Sequence, residues 1–174
     1  LTGTGLSDYD RVALTGLALL GGTLDLDVGG FTPDFGDTFT LLSAAGGVTG
    51  NFDTLAGIVN ATLPPNAGLA VTYTPTSVRA AVALLGDANL DGTVDTADLA
   101  ILAGNFNATN SSWATADFSG DGIVDTADLA IIAGNFNEVV PATAAAAVPE
   151  PTTLALACIG LGAAATRRRT LRAS

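Results

Sequence analysis

Histidine, lysine and methionine are absent from this 174-residue chain, and cysteine occurs once, at Cys158. Without His, and with a single Cys, the chain cannot build a His-based catalytic triad, a Cys–His pair, a zinc site of the usual kind or an internal disulfide. Carboxylate-only hydrolysis stays chemically possible, but the best-placed carboxylates fit another role, so we expect no enzyme within these residues. An upstream catalytic domain stays open, because the chain starts at Leu1 rather than Met and is expected to be the C-terminal part of a longer protein.

Basic residues are scarce, and most of them lie at one end of the chain. Six Arg stand against 17 Asp and Glu, and four of the six, at Arg167, Arg168, Arg169 and Arg172, lie within the last eight residues. The rest of the chain is therefore strongly acidic, which disfavours binding to nucleic acid or to anionic lipid. Eight of the 17 acids lie between residues 87 and 128. Because they recur at a fixed spacing, they indicate a cation site rather than general solubility.

Residues 1–85 are rich in Gly and Thr and contain short runs in which apolar and polar residues alternate. Such runs cover residues 23–28, 37–41 and 70–73, and a longer apolar run covers 78–84. Alternation with period two, broken by Gly-Gly and Pro-Pro turns, predicts short β-strands. No 3.6-residue stripe persists between the glycines, so long helices are not expected here.

Three stretches of this segment, at 6–16, 21–26 and 31–42, together resemble the terminal rungs of a secreted β-helix or autotransporter passenger. The resemblance implies stacked rungs that bury a continuous apolar stripe and end in a cap. Asp8 and Asp10 are interpreted as exposed strand-edge acids rather than as part of an active site.

A 30-residue repeat is the strongest signal in the sequence. Residues 87–98 (loop 1) align with 117–128 (loop 2), and the similarity continues through 99–107 and 129–137. Each loop has oxygen-bearing side chains at positions 1, 3, 5, 9 and 12, Gly at position 6, and a backbone carbonyl to offer at position 7. Calcium takes about six to eight oxygen ligands, so we predict one Ca²⁺ in each loop. The predicted ligands are Asp87, Asn89, Asp91, Thr93, Asp95 and Asp98 in loop 1, and Asp117, Ser119, Asp121, Ile123, Asp125 and Asp128 in loop 2.

Two plainer interpretations cover some of the same residues. Asp95 and Asp98 could act only as the N-cap and first-turn acid of a following helix, and Asp-Gly could be an ordinary turn. These interpretations account for two or three residues per repeat, whereas five ligand types and a Gly recur in register. Mg²⁺ is the alternative ion, although it gives up its waters reluctantly.

A short helix is predicted after each loop. Apolar residues at i, i+3, i+4 and i+7 form a stripe, and Gly104 and Gly134, each followed by Asn, favour helix ends there. The stripes are Leu99, Leu102, Ala103 and Phe106, then Leu129, Ile132, Ala133 and Phe136. At position 8, Val94 and Val124 are predicted to pair with one another, and Trp113 is predicted to fill the core rather than form a ligand platform. Because helices this short are marginal alone and the carboxylates repel one another, we expect the repeat to fold only with calcium.

Loop–helix repeats of this form, with Asp at position 12 and no helix before the loop, resemble type I dockerin modules over residues 86–137. The resemblance implies two Ca²⁺ and docking onto a cohesin-type module, which would tether an upstream polysaccharide-degrading enzyme to a scaffold. Partner recognition would fall on positions 10 and 11 of the loops, which are Thr96, Ala97, Thr126 and Ala127. In each loop only one of these two positions has a hydroxyl side chain, and the repeat contains no Lys or Arg.

The last residues combine a Pro-Glu-Pro motif, an uncharged apolar run and a basic cluster. This order resembles a PEP-CTERM sorting signal, which a membrane exosortase recognises and cuts, over residues 148–170. The resemblance implies a transmembrane helix at 152–166 with its basic end in the cytoplasm, although 15 residues would span only ~22 Å. A disordered Ala-rich tail is the alternative. The implied sorting residues are Pro149, Glu150, Pro151, Arg167, Arg168 and Arg169.

The sequence therefore predicts a multi-part fold. A β-rich segment (1–85), either a β-helix end or a β-sandwich-like sheet, precedes a small α calcium loop–helix pair (86–138), a linker (139–147) and a sorting tail (148–174) with a single transmembrane helix. We expect a secreted protein sorted to the surface of a Gram-negative-type bacterium and held transiently in the inner membrane. Its expected partners are a cohesin-like protein, the exosortase and the membrane. Two hypotheses for calcium stay open: that docking requires it, and that it only rigidifies the stem.

Overall fold

A computed structural model describes residues 9–29, 31–60 and 62–141, and within them eight strands precede two helices. The strands are β1 Val12–Leu14, β2 Ala18–Leu19, β3 Thr23–Asp25, β4 Thr38–Ala44, β5 Val48–Thr49, β6 Thr54–Ala56, β7 Ala67–Thr74 and β8 Ser77–Leu84. The helices are α1 Thr96–Asn105 and α2 Thr126–Asn135, with a 3₁₀ turn at Trp113–Thr115 between them. The runs predicted as strands coincide with β3, β4, β7 and β8, and both helices end at the predicted Gly-Asn pairs.

The first six strands form two stacked coils. Strands β1, β2 and β3 pair in parallel with β4, β5 and β6, and each partner lies 30 or 31 residues further along the chain. Parallel pairing at a nearly constant offset on three successive faces is the geometry of a β-helix, so this alternative, and not the sandwich, describes the segment. The coils approach so closely at Gly57 that a Cβ there would strike the carbonyl oxygen of Leu26. Glycine is required at this corner because it also adopts a positive φ of 72°.

Buried apolar side chains of both coils, among them Leu26, Phe39 and Leu55, share one core, whereas those of β1 are exposed. Phe39 of β4 is fully buried and packs edge-on against Tyr9, with ring centroids 5.4 Å apart. The Tyr9 hydroxyl accepts a hydrogen bond from the backbone N–H of Thr40 at 3.0 Å. Tyr9 is thus a structural residue. Its neighbour Asp10 is exposed, as predicted, although it precedes β1, and Asp8 lies outside the described residues.

Strands β7 and β8 form an antiparallel hairpin that covers the second coil. Because β8 also pairs with β4, the main sheet has the order β1-β4-β8-β7. On its other side the hairpin packs against the repeat, where Leu84, Trp113 and Phe118 belong to a second apolar cluster. The described residues up to Val140 pack as one compact unit, which contains the predicted boundary at residues 85/86.

Within the described ranges, no helix is long and apolar enough to cross a membrane. The predicted transmembrane helix at 152–166 and the whole sorting tail lie outside those ranges.

Candidate calcium sites

Each loop leads directly into a helix that the loop itself caps. Asp95 accepts a hydrogen bond from the backbone N–H of Ala97 at 2.6 Å, and Asp98 accepts one from the backbone N–H of Asp95 at 2.8 Å. Asp125 and Asp128 form the same reciprocal capping box before α2. These residues therefore do cap the helices, and whether capping is their only role stays a prediction. Capping does not exclude metal binding, because an ionised carboxylate has about four lone-pair sites.

The first and last predicted ligands of each loop are buried. Asp87 and Asp98 are 1% and 0% exposed in loop 1, and Asp117 and Asp128 are 2% and 0% exposed in loop 2. Asp87 and Asp117 each accept a hydrogen bond from the backbone N–H of the position-6 glycine, at 2.9 and 3.0 Å. Asp98 and Asp128 each accept the backbone N–H groups of positions 2 and 3, at 2.8 to 3.3 Å. The four carboxylates thus fix the path of both loops.

These buried carboxylates carry charge of one sign. Burial is the larger cause that raises the pKa of Asp87 above its usual range, and the Asp98 carboxylate adds to it, against backbone hydrogen bonds that lower it. Burial likewise raises the pKa of Asp117, and Asp128 contributes like charge. The repeat contains no Lys or Arg. A bound cation would therefore supply the positive charge that the repeat itself lacks.

The other side-chain ligands of loop 1 lie at its surface. Asn89 and Asp91 are exposed, and the Asn89 amide donates to the Asp91 carboxylate at 2.9 Å. Asp91 also accepts from the backbone N–H and the hydroxyl of Thr93, at 3.0 and 2.7 Å. Hydrogen bonds from Thr93, then from Asn89, lower the pKa of Asp91. Asp91 thus favours its charged form, the form that binds a metal ion.

Loop 2 has a similar surface arrangement. Asp121, at position 5, is exposed and accepts from the backbone N–H of Ile123 at 2.9 Å. The Ser119 hydroxyl, at position 3, donates to Asp117 at 3.4 Å. Both loops therefore have two buried carboxylates, at positions 1 and 12, and an exposed carboxylate at position 5.

A hard cation fits this set of donors. All predicted ligands are oxygens, and Gly92 and Gly122 make the sharp position-6 turns at φ of 87° and 84°. In the part of the chain that the structure describes, no group of three or more acidic side chains already converges on one point. The exposed carboxylates hydrogen-bond to nearby N–H groups instead. The twelve individual ligands thus stay a prediction, built on a scaffold that occurs in both repeats.

Val94 and Val124 are fully buried, but they do not pair with one another as predicted. The Val94 N–H donates to the Glu138 carbonyl at 2.9 Å, and the Asn137 N–H donates to the Val94 carbonyl at 2.8 Å. Val124 makes the equivalent pair of bonds with residues 107–108. The prediction was wrong because each valine pairs with the segment that follows the helix of the other repeat. These two pairings connect the repeats to one another.

Trp113 is 1% exposed and fills the space between the repeat and the β7–β8 hairpin. Its indole N–H donates to the backbone carbonyl of Asp87 at 2.6 Å, and its ring meets Phe118 edge-on at 5.2 Å. Gly68 of β7 leaves room for the ring, since a Cβ there would lie 3.0 Å from it. The predicted core role is confirmed, and Trp113 also anchors the first residue of loop 1.

Two segments of the chain match known protein families. Residues 85–137 match the family model of the Dockerin type I domain. Residues 147–169 match that of the PEP-CTERM protein-sorting motif. Both predicted resemblances are thereby confirmed, and dockerin type I domains bind calcium. The chain has no match among curated proteins or among solved structures, and the autotransporter resemblance of the first coils stays a prediction.

The segment that matches the dockerin model presents apolar and hydroxyl groups of both helices to solvent. The four predicted recognition residues are exposed, at Thr96, Ala97, Thr126 and Ala127. Four large apolar side chains are exposed as well, namely Leu99 (37%), Phe106 (42%), Leu129 (39%) and Phe136 (40%). The sequence had placed these four in the same stripes as Leu102 and Ile132, which alone of the stripe residues are buried. Asp98 and Asp128, in the first turn of each helix, are buried together with Leu102 and Ile132. The buried face of each helix therefore runs through these acids rather than along the predicted apolar stripe.

Proposed function

We propose that this chain is a non-enzymatic, surface-sorted protein whose dockerin segment binds two Ca²⁺, one in each loop, and presents α1 and α2 to an extracellular partner. One observation carries the proposal. The same scaffold of buried carboxylates, backbone hydrogen bonds and position-6 glycine is built twice, in loop 1 and loop 2.

In each proposed site, the buried carboxylates at positions 1 and 12 are the fixed base. Asp87 and Asp98 would hold the ion in loop 1, and Asp117 and Asp128 in loop 2. The position-5 carboxylates and position-7 carbonyls would complete the sites from the surface. An ion held there neutralises the like charges that otherwise oppose folding of the repeat.

Isothermal titration calorimetry of the whole chain tests the calcium proposal. We expect about two Ca²⁺ per chain and weaker uptake of Mg²⁺, which keeps its waters more strongly. Asp91→Ala and Asp121→Ala should each remove one binding event, and because both residues are exposed neither change opens a cavity in the core. Uptake of fewer than two ions by the unaltered chain would contradict the proposal.

For the partner, we propose docking to a cohesin-like protein through the face of α1 and α2. The family match and the exposed Leu99, Phe106, Leu129 and Phe136 support this, since exposed apolar groups on adjoining helices favour an interface. In a longer protein, the same docking would tether an upstream polysaccharide-degrading enzyme to a scaffold. The competing role is a calcium clamp that only rigidifies the stem.

Binding to immobilised cohesin-type domains, with calcium and with chelator, separates docking from clamping. Thr96→Arg combined with Thr126→Arg should abolish calcium-dependent capture, because it places charge on the proposed face. Thr23→Arg combined with Thr76→Arg makes the same change at exposed sites in the β-rich segment and should have no effect. Equal capture of both double variants, or none of the unaltered chain, would favour the clamp.

The sorting match supports export and surface delivery. We propose that an exosortase recognises Pro149, Glu150 and Pro151, and that Arg167–Arg169 hold the tail at the cytoplasmic side until cleavage. Cell fractionation with Glu150→Ala tests this. The variant should accumulate in the inner membrane, whereas normal delivery to the surface would contradict it.

A further inference from the structure

The second coil of the β-helix has three outer edges, and a different part of the chain covers each. Strand β8 pairs with β4, and the hairpin turn covers β5, where the Val48 N–H donates to the Pro75 carbonyl at 2.8 Å. Loop 2 covers β6, where the Leu55 N–H donates to the Gly120 carbonyl at 2.7 Å. Unpaired strand edges invite pairing with other chains, so covering them matters for solubility.

Two glycines allow loop 2 to lie against β6. A Cβ at Gly120 would lie 2.7 Å from the Leu55 carbonyl oxygen and 2.8 Å from the Ile58 Cδ1, and one at Gly122 would lie 2.7 Å from the Asp53 carbonyl oxygen. Any side chain at these positions would push the loop away from the coil.

Loop 1 has the same ligand pattern but different surroundings. Its position 4 is Leu90, 42% exposed with a φ of 60°, where loop 2 has the buried Gly120. Between loop 1 and β8 lies a cleft of about 440 Å³ lined by Phe35, Ala83, Leu90 and Asp91 among others. The nearest atoms to a Cβ at Gly92 belong to Val140, at 3.6 Å. The two loops thus differ at position 4, where loop 2 has a glycine against the coil and loop 1 has an exposed leucine.

We propose that loop 2 is a calcium-dependent cap of the β-helix, and that calcium in loop 2, rather than in loop 1, keeps the outer edge of β6 covered. The inference rests on the proposed binding of one Ca²⁺ per loop. The buried like charges of Asp117 and Asp128 oppose the closed loop, and a cation offsets them. When the ion leaves, loop 2 loosens, and the Gly120 carbonyl no longer protects the Leu55 amide.

Amide hydrogen exchange on the full chain tests the cap. In the unaltered chain with calcium, the Leu55 amide should exchange at least tenfold more slowly than with chelator. Asp121→Ala, in loop 2, should remove that protection in the presence of calcium. Asp91→Ala, the matched change at position 5 of loop 1, should leave it. Equal effects of the two variants, or the same Leu55 exchange with and without calcium, would overturn the inference.

Calorimetry tests the reverse direction, because coupling between the ion and the coil must be reciprocal. Gly120→Leu makes position 4 of loop 2 resemble loop 1 while keeping every ligand, and should weaken one calcium site at least tenfold. Leu90→Gly, the opposite exchange, should leave both sites within about twofold. Since Gly120→Leu can disturb folding, Ile58→Ala provides a gentler test, because it removes the coil side chain that lies against Gly120. It should lower the calcium affinity of one site at least threefold.

The outcomes separate this inference from the proposed function. Two normal calcium sites in both Gly120→Leu and Ile58→Ala would overturn the cap and leave the calcium function intact. Failure of the unaltered chain to bind calcium would overturn both.

Discussion

Replacing Trp113 tests how strongly the repeat depends on the β-rich segment. The side chain is 1% exposed, its indole N–H bonds to the Asp87 carbonyl at 2.6 Å, and its ring packs on Phe118 at 5.2 Å. Removing a buried Trp side chain costs about 3–5 kcal/mol, and a buried carbonyl left without its donor adds about 1 kcal/mol or more. We therefore expect Trp113→Ala to lose about 4–6 kcal/mol, a large share of the roughly 5–15 kcal/mol that stabilises a typical domain.

Urea unfolding in saturating calcium, followed by far-UV circular dichroism, measures this loss without relying on the removed fluorophore. Trp113→Phe is the matched control, because it keeps an aromatic ring against Phe118 but removes the bond to Asp87. It should lose about 1–3 kcal/mol, the hydrogen bond plus a partial cavity. If Trp113→Ala loses less than about 1.5 kcal/mol, well below the cavity cost of a buried Trp, the conclusion that this side chain joins the repeat to the β-rich segment is refuted.

Four further predictions concern a glycine of the coils, a glycine of α1, a helix cap and the metal. Gly57→Ala should destabilise the chain by more than about 2 kcal/mol, since its Cβ would strike the Leu26 carbonyl at a positive φ, whereas Gly104→Ala, with open space around it, should stabilise α1 by up to about 1 kcal/mol in the same unfolding assay. Asp95→Asn should keep the cap of α1, because Asn is also a good N-cap residue, and should weaken calcium binding in calorimetry. Unchanged calcium affinity would show that Asp95 is only a cap and not a ligand. Excess chelator should abolish most of the helical dichroism, because neither ten-residue helix is stable alone, and an unchanged helical signal would contradict calcium-dependent folding.

The sequence predicted local features well because their causes are local. The start of each helix at its Asp cap depends on residues within one turn, and each helix ends at the Asn of its Gly-Asn pair. The core role of Trp113 was expected from the size of its apolar ring, although two of the partners that bury it, Gly68 and Asp87, lie earlier in the chain. The pairing of Val94 and Val124 could not be predicted in the same way, since it depends on where the chain returns after the opposite helix.

The same contrast holds for the candidate sites on which the function depends. The spacing of oxygen ligands and glycine in the two loops is enough to predict calcium, because a 12-residue loop brings its own alternate residues together. The spacing makes the loops look equivalent. Only the tertiary structure places loop 2 against β6 and loop 1 beside an open cleft, since that difference depends on contacts with Leu55 and Ile58, some sixty residues earlier in the chain.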